Sequence, residues 1–135
     1  MVHPLDPFSF GDGRPKLRNR TVVAAMTNKQ SGADGVLSDE EIRWLLRRAE
    51  GGFGIVTTAA AHVDEGGQGW EGEMGVWGEH QLPRLTELAD GLRSRGATSL
   101  VQIFHGGLRA PRAITGQQPV SASEVDDQGA DEPAR

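Results

Sequence analysis

The 135-residue chain is acidic, with 14 Lys and Arg residues against 19 Asp and Glu and a formal net charge of −5. That balance argues against a general nucleic-acid-binding protein, because neutralising phosphates requires a basic surface. Cysteine is absent, which excludes disulfides, thiolate nucleophiles and Cys-ligated metals, and no run of residues approaches the ~18 apolar residues of a membrane span. Because the N-terminus also lacks the pattern of a secretory signal, we expect a cytoplasmic protein with no membrane partner.

The first predicted elements are a hairpin, a strand and an amphipathic helix. A GDG turn at 11–13 predicts the hairpin, and the β-branched and small residues of Thr21–Met26 predict the strand. Ser38, followed three residues later by Glu41, has the spacing of a capping box at the start of a helix. An apolar stripe at helical spacing continues this helix as far as Gly51, and its members are Ile42, Leu45, Leu46 and Ala49.

The second half of the chain repeats this pattern. Phe53–Thr58 is rich in β-branched residues and predicts a second, buried strand. The following loop, Asp64–Gly78, holds six glycines and two tryptophans, and loops of this length are commonly functional. Leu82–Leu92 carries the apolar stripe of a second helix that Gly96 closes, and the run Leu100–Phe104 predicts a third buried strand.

This order of elements predicts an α/β fold with a parallel sheet. Strands and helices alternate, with roughly 30 to 45 residues between strand centres, which is the spacing of βαβ units. Ligands of such sheets bind where the carboxyl ends of the strands meet. We divide the chain into an N-terminal hairpin (1–20), three strands with two helices (21–112), and a loop or disordered tail (113–135).

One polar side chain interrupts the third predicted strand. Gln102 lies within the apolar run, and a buried amide without partners costs about 1–3 kcal/mol. A hydrogen-bonded core amide is one explanation. The position of Gln102 near the carboxyl end of a parallel strand favours the other explanation, a ligand.

Two other kinds of site have weaker support. The glycines of EGGFGIV precede a strand instead of following one, which excludes the dinucleotide-binding fingerprint. His62 and His105 come just after predicted strands, with Asp64 and Glu65 nearby, so a metal-dependent barrel hydrolase is an alternative. The paired ligand spacing of a dedicated metal site is missing, and we predict no metal.

Several segments in chain order carry a family resemblance across about Phe8–Ser123. They are LRNRTVVAAMT, DGVLSDEEI, GGFGIVTTAAAHV, GQGWEG, GVWGEHQLPRLTELADGLRSRGA and VQIFHGG. Together they resemble the Old Yellow Enzyme family, the FMN-dependent NADH:flavin oxidoreductases and ene-reductases. The resemblance implies a (β/α)8 TIM barrel with FMN over the carboxyl ends of its strands, of which this chain supplies a short N-terminal β-hairpin and about three βα units. It also implies hydride transfer from NADH or NADPH, through the flavin, to an activated alkene or another small electron acceptor.

The resemblance also implies a set of cofactor-binding residues. The turn of Ala25, Met26 and Thr27 is similar to the segment that meets the flavin, with Thr27 donating to the flavin O4. Ala59 is similar to the small residue packed at the isoalloxazine ring, and Gln102 to the amide that pairs with N3 and O2 of the pyrimidine edge. A planar amide has the donor and acceptor that this edge requires.

The sequence departs from the family pattern at three places. The family often has proline at the position of Ala25 and glutamate at that of Thr58, which puts any tuning of the flavin by that carboxylate in doubt. The segment HGGLR has one residue more between His and Arg than the usual HxGR, so no role is assigned to Arg109.

A complete barrel takes ~250 residues, about twice the length of this chain. The family's proton-donating tyrosine, substrate-binding pair and phosphate site would lie beyond Arg135, so we assign no catalytic residue here. We expect the isolated chain to be inactive, and to be weakly stable or to associate as a homo-oligomer unless a C-terminal half completes it. A non-catalytic half-barrel fragment is the alternative.

Overall fold

The computed structural model describes residues 1–123, which form a short hairpin followed by a parallel sheet with helices packed on one face. The strands are β1 (Phe8–Ser9), β2 (Lys16–Leu17), β3 (Val22–Val23), β4 (Ile55–His62), β5 (Met74–Gly75) and β6 (Thr98–Phe104). The helices are α1 (Asp39–Glu50), α2 (Leu82–Ser94) and the one-turn α3 (Arg112–Thr115). None of the helices in residues 1–123 has the length and apolar composition to cross a membrane.

Strand β4 lies at the centre of the parallel sheet. β3 pairs with the start of β4 and β5 pairs with its end, while β6 runs beside it from Ile55 to His62. Because β6 occupies one edge along this whole length, β3 and β5 share the other edge. These pairings confirm the predicted parallel sheet, and the antiparallel pairing of β1 with β2 confirms the predicted hairpin.

The hydrophobic core lies between the sheet and the two long helices. Leu45 of α1, Leu92 of α2 and Val56 of β4 are each at most 1% exposed. Burying a leucine in this way contributes about 1.5–3 kcal/mol, so the two predicted amphipathic helices are held mainly by these contacts. The other members of the core are Val23, Leu37, Ile42, Ala49, Ala61, Met74, Leu88 and Ala97.

The start of α1 is capped as predicted, but only on one side of the capping box. The Ser38 hydroxyl accepts a hydrogen bond from the Glu41 main-chain N–H at 3.1 Å. The Glu41 carboxylate accepts from the Asn28 amide at 2.8 Å and from the Ser31 hydroxyl at 2.6 Å. Glu41 therefore ties α1 to the segment that follows β3, a contact that the capping-box interpretation did not include.

Two predicted strands have different bounds in the structure. The first was predicted over Thr21–Met26, but β3 ends at Val23, opposite Val56, and the same edge of β4 is next paired by β5 at Ala61. The second was predicted over Phe53–Thr58, but β4 extends through the alanine run to His62. Alanine has a low strand propensity, which is outweighed here by pairing of Ala60 with β6 and of Ala61 with both β5 and β6.

The third strand, β6, was predicted to be buried and is largely exposed. It begins at Thr98, and the exposed fractions of Leu100, Val101 and Ile103 are 47%, 48% and 72%. Within residues 1–123, β6 pairs with β4 alone, so its second edge has no neighbouring strand. The apolar pattern is typical of a strand that has a neighbour on each side and cover on both faces.

The predicted loop and tail contain more regular structure than expected. The loop at 64–78 includes β5 and a 3-10 turn over Glu65–Gly67, and a second 3-10 turn over Glu79–Gln81 leads into α2. In the predicted tail, residues 113–115 belong to α3. Residues 124–135 lie outside the described part of the chain, so the prediction of a disordered end stays a prediction there, as does the division into three regions.

Arg18 connects the end of the hairpin to the amino-terminal side of the sheet. Its guanidinium donates to the carbonyl oxygens of Ala49, Phe53 and Arg95, at 2.5, 2.6 and 2.8 Å for the shortest contact with each. Ala49 lies in the last turn of α1 and Arg95 caps α2, so these carbonyls lack the regular donor four residues ahead that a helix interior supplies. One planar cation thus holds both helix ends.

A buried pair of titratable side chains lies at the opposite side of the sheet. His62 Nδ1 is 3.6 Å from Glu73 Oε2, and both side chains are at most 3% exposed. Burial raises the pKa of Glu73 to about 7, while a hydrogen bond from the Gly69 N–H to its carboxylate opposes this shift. Burial also lowers the pKa of His62, which contacts with Met74 and Asp64 partly offset.

We expect Arg18→Lys to lower the free energy of unfolding by about 1–3 kcal/mol, because an ammonium cannot replace the planar fork that reaches three carbonyls. Arg14→Lys is the control, since Arg14 is exposed at the hairpin turn and should change stability by less than about 0.5 kcal/mol. Urea denaturation of both variants and the parent chain, followed by far-UV circular dichroism, measures the difference. Equal midpoints for Arg18→Lys and the parent would contradict the bridging role.

We expect Glu73→Gln to stabilise the chain in a pH-dependent way. The folded-state pKa of Glu73 is raised, so its favourable contribution is complete below the unfolded pKa near 4.5 and is lost as the pH rises through about 7. The glutamine does not titrate, so the stability of the variant relative to the parent should rise by about 1–3 kcal/mol between pH 5 and 8. Thermal unfolding at several pH values measures this, and a constant difference across that range would contradict it.

Candidate functional site

The predicted cofactor-binding residues all lie toward the carboxyl ends of β3, β4 and β6. Ala25, Met26 and Thr27 follow β3, with Ala25 half-buried and the other two exposed. Ala59 lies within β4 and is 5% exposed, and Gln102 lies in β6 with an exposed side chain. Because the three strands are parallel, with β4 in the middle, the structure brings these five residues to one edge of the sheet.

Gln102 projects from the sheet face that the helices leave uncovered, which we call the open face. Its neighbours along β6, Ser99 and Val101, line a groove with Leu85 and Leu88 of α2. Since side chains alternate along a strand, Gln102 projects to the opposite side from Val101. The open face of β6 therefore carries Leu100, Gln102 and Phe104.

Strand β4 contains a bulge directly beside Gln102. Thr57 pairs with Leu100, and Ala60 pairs with Gln102. Two residues of β4, Thr58 and Ala59, are therefore opposite the single β6 residue Val101. The in-register neighbour of Gln102 on the open face is therefore the methyl group of Ala60. Ala59, which the family resemblance implies is the small residue at the flavin ring, is part of the bulge itself.

Helix α1 holds in place the segment that follows Met26 and Thr27. Glu41 is fully buried, and its two hydrogen bonds fix Asn28 and Ser31 on either side of Lys29. Lys29 has a φ of 55°, the left-handed conformation that non-glycine residues seldom adopt. The segment after Thr27 thus has a defined path although it is outside the sheet.

Gly72 lets this segment meet the loop that follows β4. Its φ is +73°, and a Cβ at this position would lie 2.6 Å from the Lys29 carbonyl oxygen. The Gly72 carbonyl accepts from the Ser31 N–H at 3.1 Å. Only glycine allows this close approach, so the loops after β3 and β4 pack together as one wall of the site.

The buried amide of Gln81 joins the same two loops. The Gln81 side chain donates to the Asp34 carbonyl at 2.9 Å and accepts from the N–H groups of Trp77 and Gly78 at 3.0 and 3.1 Å. Beside it, the Gly75 N–H donates to the Gly35 carbonyl at 2.9 Å. Gln81 is 1% exposed, so these bonds satisfy an amide that would otherwise be costly to bury.

The loop after β4 also covers the end of β6. The Trp70 ring packs against the Phe104 ring with 5.2 Å between centroids, and the Gly106 N–H donates to the Gly67 carbonyl at 2.8 Å. The Glu73 carboxylate, whose pKa burial raises to about 7, lies behind this contact. An aromatic pair therefore covers the end of β6, beyond Gln102.

The two histidines considered as metal ligands do not converge. His62 is buried and faces Glu73, whereas His105 is exposed and accepts from the Gly107 N–H at 2.9 Å. In the part of the chain that the structure describes, no three His, Cys, Asp or Glu side chains form a group that could hold a metal ion. Asp64 accepts from the Gly66 N–H and caps a 3-10 turn.

Three residues at this edge were missed as contributors to the site. Glu41 was identified only as part of a capping box, Thr58 only as a departure from the family pattern, and Ala60 not at all. The signal for Glu41 was an acid at the i, i+4, i+8 spacing of Leu45 and Ala49 on the apolar side of the helix, which a helical wheel would show. A bulge has no comparable sequence signal, because it depends on the register between two strands.

The chemistry of the edge suits a flat, polar-rimmed ring. Gln102 offers a donor and an acceptor on one planar group, and Thr27 offers a hydroxyl. Between them, Ala59 and Ala60 present no side chain larger than a methyl group, which leaves room for a ring system to approach the strands. The residues fit a flavin.

Comparison with known proteins agrees with this geometry. The sequence profile of the NADH:flavin oxidoreductase / NADH oxidase family matches residues 5–134. A protein of Bacillus subtilis named "Probable NADH-dependent flavin oxidoreductase YqiG" is 35% identical over 125 residues, covering 92% of this chain and 33% of the relative. The NADH:acrylate oxidoreductase of Vibrio harveyi is 35% identical over 126 residues, 93% of this chain and 12% of the relative.

Solved structures show the same relationship. A 2-naphthoyl-CoA reductase superposes with a TM-score of 0.83 at 30% identity, over 98% of this chain and 22% of the other. The Old Yellow Enzyme homologue from Zymomonas mobilis superposes with a TM-score of 0.82 at 25% identity, over 98% of this chain and 39% of the other. The predicted part-barrel fold is confirmed, and this chain spans about a third or less of the length of those two curated relatives.

The profile covers nearly the whole chain, and the fold and the order of the segments agree with it. FMN and a reduced nicotinamide are the cofactors of the family, as the sequence predicted. The chain belongs to the NADH:flavin oxidoreductase / NADH oxidase family, whose structural relatives include Old Yellow Enzyme.

Proposed function

We propose that this chain provides the first FMN-binding strands of a barrel that transfers hydride from NADH or NADPH to an activated alkene. The observation that carries the proposal is the exposed Gln102 amide on the open face, next to Ala60 and at the carboxyl ends of parallel strands. FMN, when bound, supplies the hydride-carrying chemistry. Relatives named for NADH, acrylate and fumarate support a small acceptor with an activated double bond.

In this proposal, Gln102 recognises the pyrimidine edge of the flavin. Its amide N–H₂ donates to O2 and its carbonyl accepts from N3–H, which a rigid planar group can do at once. Since β6 holds Gln102 on a strand, the amide loses little conformational freedom on binding. This pairing orients the ring without taking part in hydride transfer.

Thr27 and the turn before it are proposed to hold the opposite part of the ring. A hydrogen bond from the Thr27 hydroxyl to O4 stabilises negative charge on a reduced flavin. The main chain of Ala25 and Met26 lies at the same edge, where its N–H and C=O groups are free of the sheet beyond Val23. Ala59 is proposed to leave space for the ring.

We further propose that the chain in isolation is inactive. Leu100, Val101 and Ile103 are about half or more exposed, and an apolar strand with an unpaired edge favours association or instability. The substrate-binding and proton-donating groups of the family are not among the residues assigned here. A half-barrel that binds without catalysing is the second candidate, and the same exposed strand supports it.

We expect Gln102→Leu to weaken FMN binding about tenfold in the flavin-loaded protein that carries this chain, because two hydrogen bonds of about 1 kcal/mol or less each are lost. Ser99→Ala is the matched control, since Ser99 lies on the same strand but on the helix side. Equilibrium titration with FMN, followed by flavin fluorescence, gives both dissociation constants. Equal constants for Gln102→Leu and the parent would contradict the assignment of Gln102.

The second test concerns the isolated 135-residue chain. We expect purification to give less than one flavin per chain and no oxidation of NADH or NADPH, with light scattering showing aggregates or oligomers. Joining the chain to the remainder of the Bacillus subtilis relative, with the remainder alone as the control, should restore flavin binding and NADH oxidation. Stoichiometric flavin and NAD(P)H oxidation by the isolated chain would contradict the proposed inactivity.

A further inference from the structure

Thr58 is a buried hydroxyl that contacts both strands of the site. It is 2% exposed, and its Oγ1 donates to the Ala59 carbonyl at 2.7 Å. The same oxygen accepts from the Gln102 main-chain N–H at 3.3 Å. Its partners are therefore two of the residues that the proposed function places at the flavin.

These contacts coincide with the bulge in β4. A bulge interrupts the regular ladder and leaves main-chain groups that need other partners. At this point the Thr58 hydroxyl supplies an acceptor to β6 and a donor to β4, so one side chain bridges the interruption. Thr57, one residue earlier, pairs with Leu100 in the regular register.

The position of the bulge decides which alanine is the neighbour of Gln102. If the regular register continued from Thr57 and Leu100, Ala59 would be opposite Gln102 and Ala60 would turn toward the helices. With the bulge, Ala60 is opposite Gln102 on the open face, and Ala61 is fully buried in the core. The bulge therefore sets both the core packing of β4 and the surface beside the amide.

We propose that Thr58 is a positioning residue for flavin binding: its hydroxyl holds the bulge and thereby fixes Gln102 relative to Ala60. The last step, from Gln102 to the flavin, rests on the proposed function. Valine has the shape of threonine but neither donor nor acceptor, so Thr58→Val removes both hydrogen bonds while retaining the β-branched side chain. Thr58→Ser keeps the hydroxyl and tests for rescue.

The first measurement concerns the contact itself. Amide hydrogen exchange at Gln102, in the flavin-loaded protein that carries this chain, should be about tenfold faster in Thr58→Val than in the parent. It should be near the parental rate in Thr58→Ser and in the control Thr57→Val. Unchanged exchange at Gln102 in Thr58→Val would overturn the proposal, even if the variant is less stable overall.

The second measurement is a double-mutant cycle on FMN affinity. Thr58→Val should weaken FMN binding about fivefold, and this loss should disappear in a Gln102→Leu background, because the two changes act through one group. An equal loss in both backgrounds would show a merely structural role for Thr58 and overturn the proposal.

The two measurements separate this inference from the proposed function. If Gln102→Leu alone leaves FMN affinity unchanged, the assignment of Gln102 to the flavin fails, and the flavin-positioning role of Thr58 fails with it. If Gln102→Leu weakens binding but Thr58→Val changes neither exchange nor affinity, only the role of Thr58 fails. A shift of the bound-flavin absorption band in Thr58→Val that Thr58→Ser does not show would support positioning over general destabilisation.

Discussion

The pairing of β4 with β6 is the constraint on which the rest of the structure depends. β4 is the one strand within residues 1–123 that β3, β5 and β6 all contact, and β6 is attached to the molecule mainly through it. The bulge shifts the register of β4 by one residue. It thereby determines that Ala61 enters the core and that Ala60 lies next to Gln102. A one-residue change would exchange the buried and open faces of everything beyond the bulge.

Buried polar side chains then fix the loops that this sheet carries. Glu41 holds the segment after β3, and Gln81 joins that segment to the loop after β4. Each has its hydrogen bonds supplied by the loops themselves, so the loops and the side chains order one another. Glu73 is different, because one of its oxygens has no partner and burial raises its pKa to about 7. Burial of the Glu73 carboxylate therefore destabilises the loop after β4, whereas burial of the fully hydrogen-bonded Glu41 and Gln81 side chains does not.

The elements with strong periodicity could be predicted from the sequence. The apolar stripe around Leu45 and the cap at Ser38 predicted the bounds of α1 closely. The family resemblance predicted that Thr27 and Gln102 lie at the same edge of the sheet. Strand ends could not be predicted, because they depend on which neighbour occupies each edge: β3 pairs with β4 only as far as Val56, and β6, joined by β5 at Ala61, extends β4 through alanine. The role of Thr58 depends on the same information, since a hydroxyl has no bulge to bridge until two strands are in register.

The exposure of β6 has two consequences that are linked physically. Gln102 can meet a ligand because the open face is uncovered, but the same strand leaves Ile103, on the other face, 72% exposed. A flavin placed on the open face would cover Gln102 and would leave both Ile103 and the unpaired edge of β6 in water. Ligand binding alone therefore cannot remove the cost of this strand, whereas a further strand beside β6 with its helix would cover the edge and Ile103 together. The stability of the sheet and the occupancy of the site are accordingly separate requirements. Binding depends on a stable β6, because β6 holds Gln102 in place.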